Sequence, residues 1–370
     1  MSVDMKVCCL IDSLNSGGAQ RQMTWLIRAL VANGHQVHLM TYHSYDHYLP
    51  LVRESGVEPD CFDSTTKVGR FWKFRCEIRA VKPDVIISFL DVPNFIGLFA
   101  GMSPGRIPVI VSERNHDIGG KTRQTSFRFN GFRLASKVIT NSHSQREFIH
   151  NNYSFLSSKL STILNCVDLE KFSPAATLPS GQSRMLVAAS VCERKNTHGL
   201  IQACLHIKQR GVEVKIDWYG NDFFENGVPT DKSTYFLECR SKIKELHLED
   251  IIQLHKPVQE IEKIFNSYHG CCLPSFREGC PNVICEALAS GIPSLVSNHG
   301  DMKRMIDESR GFVFDPNSPA SIADAIVEFA SLTDEQRDLM GQESRAYAEQ
   351  YLGPERFASE YESLIRELAS

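Results

Sequence analysis

The chain has 370 residues, 42% of them hydrophobic and 23% charged, with a formal net charge of −4. That length suits two domains with a core each, and the composition excludes a disordered, collagen-like or disulfide-scaffold protein. There is no run of about 18 apolar residues and no basic-then-apolar leader, so the expected setting is cytosolic, without a membrane span.

The twelve cysteines contain no C-x-x-C, and Cys8-Cys9 and Cys271-Cys272 sit inside apolar runs. They fit small hydrophobes in a reducing compartment and exclude a zinc or disulfide framework. Residues 1–165 hold 19 Lys+Arg against 13 Asp+Glu, a balance of +6, which leaves 21 against 31, or −10, for the remainder. A basic half beside an acidic one fits an anionic partner for the first half, a phosphate-bearing acceptor or a membrane surface. Drift in surface composition would fit it equally.

Lys6 to Asp12 is a short apolar run that enters a turn at Gly17 and Gly18, and helical spacing follows through Met23, Leu26, Ile27 and Leu30 to a stop at Gly34. With a strand at Val37 to Thr41 this is a β-α-β unit whose Gly-Gly turn lets backbone approach a pyrophosphate, or is merely a tight turn. The G-x-G-x-x-G fingerprint is absent, which disfavours a nicotinamide oxidoreductase. Residues 68–82 predict a helix with Phe71, Phe74, Ile78 and Val81 at core spacing, and with Trp72, Arg70, Lys73, Arg75 and Arg79 between them. Such a helix can lie on an anionic membrane, although any helix leading into the strand Val85 to Leu90 would carry the same apolar stripe.

Ile107 to Ser112 predicts a strand ending in Glu113, Arg114, Asn115, His116 and Asp117, polar groups at the edge where open α/β sheets bind ligands. His116 is a candidate base or donor, against an incidental loop histidine. Val138 to Thr140 predicts a further strand, and Ser142 with Gln145 a capping box for the helix that follows. The Pro, Ala, Ser and Gly between Ser173 and Ser183 suggest a linker. The alternation restarts at Arg184 to Val191, where Arg194 and Lys195 are two adjacent cations able to neutralise a diphosphate or to remain surface charges. Strands at Val214 to Gly220, Ile251 to Leu254, Cys271 to Pro274 and Ser294 to Ser297 follow. Thr333 with Gln336 reads as a capping box, and an amphipathic helix from Glu355 to Leu368 closes the chain.

In Leu273 to Ser290 (LPSFREGCPNVICEALAS), Glu278 lies in a Gly/Pro loop and Glu286 in a short apolar helix. Pro281 suits the first helical position and Gly291 the C′ stop. The helix start would offer N–H groups of Gly279, Cys280, Asn282 and Val283 to a phosphate or sugar oxygen. Glu286, set among apolar neighbours, needs donors if ionised, and ligand hydroxyls could supply them. Chance spacing of two glutamates is the competing explanation.

The whole pattern from Pro274-Ser275 through Glu278-Gly279, Pro281-Asn282, Glu286-Ala287 and Ala289 to Gly291 and Pro293 resembles the E-x7-E signature of retaining GT-B glycosyltransferases of family 4. The resemblance covers nearly the whole chain. It implies an α/β GT-B fold, two Rossmann-like doubly wound domains facing a cleft. These would be an acceptor-side domain at 1–172, a nucleotide-sugar-binding domain at 173–350, and a helix at 351–370 returning to the first domain. It implies retaining, metal-independent transfer of a hexose-type unit from a nucleotide-diphosphate sugar to a hydroxyl of a glycan or lipid-linked acceptor in polysaccharide synthesis. No metal is expected, D-x-D being absent, nor any other cofactor or nucleic-acid partner, and the implied setting is the cytoplasm or the inner face of a membrane.

By the same resemblance Lys195 is the diphosphate lysine, Glu286 meets the ribose and Glu278 the donor sugar. Gly17 and Gly18 contribute backbone, and the loop bearing His116 faces the reaction centre. Lys256 to Ile264 would read the base through backbone atoms. The arginine that relatives place five or six residues before Lys195 is Ala189 or Ser190 here, and Arg194 is the candidate substitute. Lys303 and Arg304 occupy positions where many relatives have Gly and Glu. A nucleotide-sugar hydrolase or epimerase, and a non-catalytic nucleotide-sugar binder, are the alternative readings.

Overall fold

The computed structural model describes residues 4–44, 47–62, 66–102, 105–115, 117, 120–175, 181–221, 223–225, 228–230 and 233–369. His116 and residues 176–180 of the expected linker lie outside these. The chain forms two compact units, Met1–Cys166 with Pro354–Ser370, and Val167–Gly353.

The first unit is built on strands β1 (Lys6–Leu10), β2 (Gln36–Thr41), β3 (Asp60–Cys61), β4 (Val85–Phe89), β5 (Val109–Glu113), β6 (Lys137–Thr140) and β7 (Leu160–Thr162), in the order β3-β2-β1-β4-β5-β6-β7 with every pairing parallel. Helices cover both faces of such a sheet, so the central strands read as continuous apolar runs rather than alternating ones. Consecutive residues therefore enter different cores: Val7, Cys9 and Ile87 join one cluster, Cys8, Leu10 and Ile86 the other. Both adjacent thiols are fully buried, and burial alone pushes Cys9 up to about 12, so they pack as small hydrophobes.

The final helix, Pro354–Ala369, completes the first of these clusters with Phe357, Tyr361 and Ile365. Its Glu362 forms a buried pair with His35, whose other ring nitrogen accepts from Met5 N at 3.2 Å. Asn33 Nδ2 also donates to Glu362, at 3.3 Å.

The second unit contains β8 (Ser183–Ala188), β9 (Val214–Tyr219), a two-stranded antiparallel pair β10 (Phe224–Glu225) and β11 (Val228–Pro229), then β12 (Ile252–His255), β13 (Gly270–Leu273), β14 (Ser294–Ser297) and β15 (Gly311–Phe314). Its six-stranded parallel sheet has the order β12-β9-β8-β13-β14-β15. The division between units falls after Cys166, upstream of the expected 172. Among the described residues no helix is long and apolar enough to cross a membrane.

In each sheet the strand order reverses once, between β1 and β4 and between β8 and β13. Open parallel sheets take ligands at the carboxyl ends of the strands flanking such a reversal. Gly17 and Gly18 follow β1; Arg194 and Lys195 follow β8, and Glu278 follows β13.

Candidate active site

In the second unit, β8 and β13 pair in parallel, Gly270 opposite Met185 and Cys271 opposite Leu186, so the loops leaving their carboxyl ends are neighbours. After β8 the chain turns through the 3₁₀ segment Glu193–Lys195, closed by Lys195 N to Cys192 O at 3.0 Å and Asn196 N to Glu193 O at 2.8 Å. Asn196 is buried in the left-handed region (φ 60°). Its side chain caps the helix Thr197–Gln209 by accepting from Gly199 N and is itself anchored on Pro316 O. Asparagine tolerates that conformation where most side chains do not. Phe276 N donates to Arg194 O at 3.0 Å, which ties the second loop to the first through backbone.

This frame brings Lys195 Nζ to 2.5 Å and Arg194 Nη1 to 3.1 Å from the same oxygen, Glu278 Oε1. Lys195 and Glu278 are drawn inward, with side chains 13% and 12% exposed, while Arg194 is 54% exposed and also donates to Arg277 O. Of the two adjacent cations, Lys195 is therefore held in the site, and Arg194 reaches it from the surface. Ala189, which with Ser190 stands where relatives are expected to have arginine, is half-buried. Its carbonyl accepts from Trp218 Nε1 at 2.7 Å, and a Cβ on Gly220 would come within 1.9 Å of that oxygen.

The helix Asn282–Ala289 begins one residue later than expected, with Pro281 as its N-cap rather than its first helical residue. The missing proline N–H costs nothing at either position. Gly279 and buried Cys280 approach the helix start, and Asn282 and Val283 form its first turn. Glu286 is 4% exposed on a helix whose Val283, Ile284, Cys285, Ala287, Leu288 and Ala289 are buried as well. The C-terminus is a Schellman motif: Gly291 N donates to Leu288 O, Ile292 N donates to Ala287 O, and Gly291 takes φ 66°.

In the first unit Gly17 is the N-cap of the helix Gly18–Ala32, with φ −89°, so no left-handed residue is required there. Gln20 Nε2 donates to Asp12 Oδ1 at 2.8 Å, linking this helix to the end of β1. The polar loop after β5 is organised by Arg128, which sequence inspection passes over because it lies in the middle of the helix Arg123–Gly131. Its Nε is 3.0 Å from Glu113 Oε2, its Nη2 2.6 Å from Asp117 Oδ2 and its Nη1 3.3 Å from Asp91 Oδ2.

Glu113 is fully buried. Desolvation raises its pKa to about 7, opposed by Arg128 and by the Asn115 N–H, and reinforced by the nearby Asp91 and Asp117. Ser142 caps the helix His143–Asn152, but the expected reciprocal bond from Gln145 is not made. Instead the Gln145 side chain accepts from Asp117 N and donates to Asp117 Oδ2, both at 2.8 Å. Leu90, directly before Asp91, has φ 77° and ψ 158°, a costly conformation for a branched side chain at the carboxyl end of β4. Arg114 turns away from this cluster, stacking over Phe89 and donating to Asn165 and Tyr361. The signal available in sequence was the position of Asp91 after a strand. Nothing local marks Arg128.

The glycosyl transferases group 1 family matches residues 168–347, and glycosyltransferase family 4 matches residues 16–171. The chain belongs to glycosyltransferase family 4. As a family 4 glycosyltransferase it is 24% identical over 294 residues to a Campylobacter jejuni enzyme named GalNAc-alpha-(1->4)-GalNAc-alpha-(1->3)-diNAcBac-PP-undecaprenol alpha-1,4-N-acetyl-D-galactosaminyltransferase, covering 77% of each chain. It is 26% identical over 180 residues to the putative colanic acid biosynthesis glycosyltransferase WcaL of Escherichia coli, a match spanning 46% of this chain and only 42% of that protein. Among solved structures, Anabaena HepE in complex with UDP superposes with a TM-score of 0.84 at 17% identity, covering 98% of this chain and 100% of that one. A Rickettsia africae glycosyltransferase gives 0.84 at 14% identity, covering 99% and 98%. The fold of this glycosyltransferase is GT-B.

Proposed function

We propose that this glycosyltransferase is a retaining enzyme that moves a hexose-type sugar from a nucleotide-diphosphate sugar to a hydroxyl of a glycan or lipid-linked acceptor. The observation that carries this reading is the convergence of Lys195 and Arg194 on a single oxygen of Glu278 at the strand-order reversal of the second sheet. Breaking the bond from the anomeric carbon to the phosphate oxygen puts negative charge on the diphosphate and positive charge on the sugar. Fixed cations beside a fixed carboxylate stabilise both. In this scheme Lys195, helped by Arg194, binds the diphosphate, and the helix start at Asn282 adds N–H groups from Gly279, Cys280, Asn282 and Val283. Glu278 then meets the sugar and Glu286 the ribose hydroxyls.

The acceptor oxygen bonds to the anomeric carbon on the face that the phosphate leaves, and the acceptor proton passes to the departing phosphate oxygen. No side-chain nucleophile and no metal is assigned a step. HepE has been solved with UDP-glucose, and the Campylobacter relative is named for an acceptor linked to undecaprenol diphosphate. These support a nucleotide-sugar donor and a lipid-linked acceptor, and the proposed place of work is the cytoplasm or the inner face of a membrane. On the acceptor side, Asp91, Asp117 and the loop that contains His116 are the proposed contacts. Gly17 and Gly18 are proposed phosphate-facing backbone.

The test is a calorimetric screen of nucleotide sugars followed by transfer assays of Lys195→Ala. A nucleotide-diphosphate sugar should bind the wild type, and the variant should lose about a hundred- to thousand-fold in transfer rate, the cost of removing one charge-stabilising group. Unchanged turnover would sink the assignment. Donor turnover that ignores added acceptor would identify a hydrolase or epimerase instead, and tight binding without turnover under every acceptor a binding protein.

A further inference from the structure

At the amino edge of the first sheet, opposite the edge that carries Asp91, Glu113 and Asp117, lies a cavity of about 340 Å³. It opens between the end of the helix Asp91–Gly101, the 3₁₀ turn Phe132–Leu134 and the starts of β5 and β6. Its walls are apolar, with Leu98 buried and with Met102 (48% exposed) and Leu134 (47%) left partly in water. The charged residues that line it are Arg106, Arg133 and Lys159, all of them cations. The chain supplies no carboxylate locally. Residues 92–112, 118–146 and 148–167, from which every lining residue comes, contain neither Asp nor Glu.

Each cation is held differently. Lys159 Nζ donates to Arg133 O at 2.7 Å and to Ala135 O at 2.6 Å, which closes the end of the 3₁₀ turn and uses two of the three ammonium protons. One N–H remains. The Arg133 guanidinium lies over the Phe155 ring at 4.0 Å. Neither it nor the exposed Arg106 side chain donates to an oxygen or pairs with a carboxylate among the described residues. Burial first, and then the charge of Arg106, lower the pKa of Lys159. Capping of the turn accounts for Lys159 alone. It does not account for two further guanidinium groups round an apolar hollow, where like charges repel and no carboxylate offsets them. An anion with an apolar body removes both costs, since it neutralises the cations and covers Met102 and Leu134.

We propose that this cavity binds a small organic phosphate carrying an apolar group, its phosphate held by Arg106, Arg133 and Lys159 and its apolar group lying against Leu98, Met102 and Leu134. Guanidinium forks and a lysine point charge suit phosphate oxygens, and the volume is at the low end of small-molecule sites, room for one molecule of modest size. The cavity lies at the edge of the sheet away from Asp91 and Asp117, so its occupant is an effector and not the acceptor of the transfer proposed above. The inference does not rest on that transfer, and its test needs no reaction.

Full-length protein is titrated by calorimetry with 1-naphthyl phosphate, octyl phosphate and inorganic phosphate, beside Arg106→Ser/Arg133→Ser, Leu134→Glu and Lys195→Ala. Arg106, Arg133 and Leu134 are exposed, so the variants there should keep the wild-type circular dichroism and melting temperature. At least one of the organic phosphates should bind, one per chain, at about 1 mM or tighter. The better of the two shows whether the site takes an aromatic or an aliphatic group. Inorganic phosphate should bind about ten-fold weaker or worse for want of the apolar contact. Loss of both arginines should weaken binding about a hundred-fold, and a carboxylate at position 134 should abolish it. Lys195→Ala should bind like the wild type, because Lys195 belongs to the second unit. No binding of either organic phosphate, equal affinity for inorganic phosphate, or an arginine or Leu134→Glu variant that binds like the wild type would overturn the proposal. So would loss of binding in Lys195→Ala, since the ligand would then occupy the second unit.

Discussion

Replacing Glu113 by glutamine should change how the stability of the first unit depends on pH. Burial at the end of β5 raises this carboxyl from its ordinary 4.5 to about 7 even with Arg128 beside it. The folded state therefore holds the proton more tightly than the unfolded chain, so the stability Glu113 contributes is complete below about pH 4.5 and is lost as pH rises through about 7. At about 1.4 kcal/mol for each tenfold change in proton affinity, the loss amounts to about 3 kcal/mol on the alkaline side. Glu113→Gln removes the titration while keeping an oxygen to accept from Asn115 N, now 2.9 Å from Oε1. Calorimetric melting of wild type and variant should then give similar first-unit stabilities near pH 5 and a variant more stable by up to about 3 kcal/mol near pH 8. Parallel profiles across that range, or a gain for the variant only in acid, would refute the assignment of a raised pKa.

Other outcomes follow from the same geometry. Arg194→Ala removes a half-exposed partner of Glu278, so stability should move by about 0.5 kcal/mol or less. Its kcat/KM for transfer should fall less than that of Lys195→Ala, and equal losses would show that exposure misranks the two cations. Glu362→Ala leaves His35 buried without its carboxylate and loosens the final helix. A cost of about 3 kcal/mol in a urea titration is expected, and one below about 1 kcal/mol would contradict the anchoring role. Gly220→Ala drives a Cβ against Ala189 O, 1.9 Å away before any relaxation, at the strand end leading to Lys195. It should lower stability by about 2 kcal/mol or more and weaken nucleotide-sugar binding in calorimetry; an unperturbed variant would mean that β8 and β9 part freely.

Much of the architecture is legible in the chain because parallel strands buried on both faces must be short apolar runs, as at Lys6 to Leu10 and Val85 to Phe89, and because glycines and capping residues mark helix ends locally. Thr333 and Gln336 form the reciprocal box their spacing implies, and Gly291 stops its helix in the left-handed conformation that glycine permits. Two- and three-residue strands such as β3 and β7 are too brief to leave a pattern, and Gln145 left its expected bond because Asp117 offered two partners in place of one.

Residue types and positions along the chain by themselves determined that Arg194, Lys195 and Glu278 would stand in loops after strands and Glu286 within a short helix. Only the tertiary structure decided which of them meet. Lys195 and Glu278 are 83 positions apart, and their contact depends on β8 and β13 being neighbours, a choice of strand order made by the packing of whole helices. Arg128 shows the same limit more sharply, since a guanidinium in mid-helix becomes the centre of three carboxylates only once β4 and β5 lie side by side. Local chemistry specifies where a charge can be placed; long-range burial specifies what it faces.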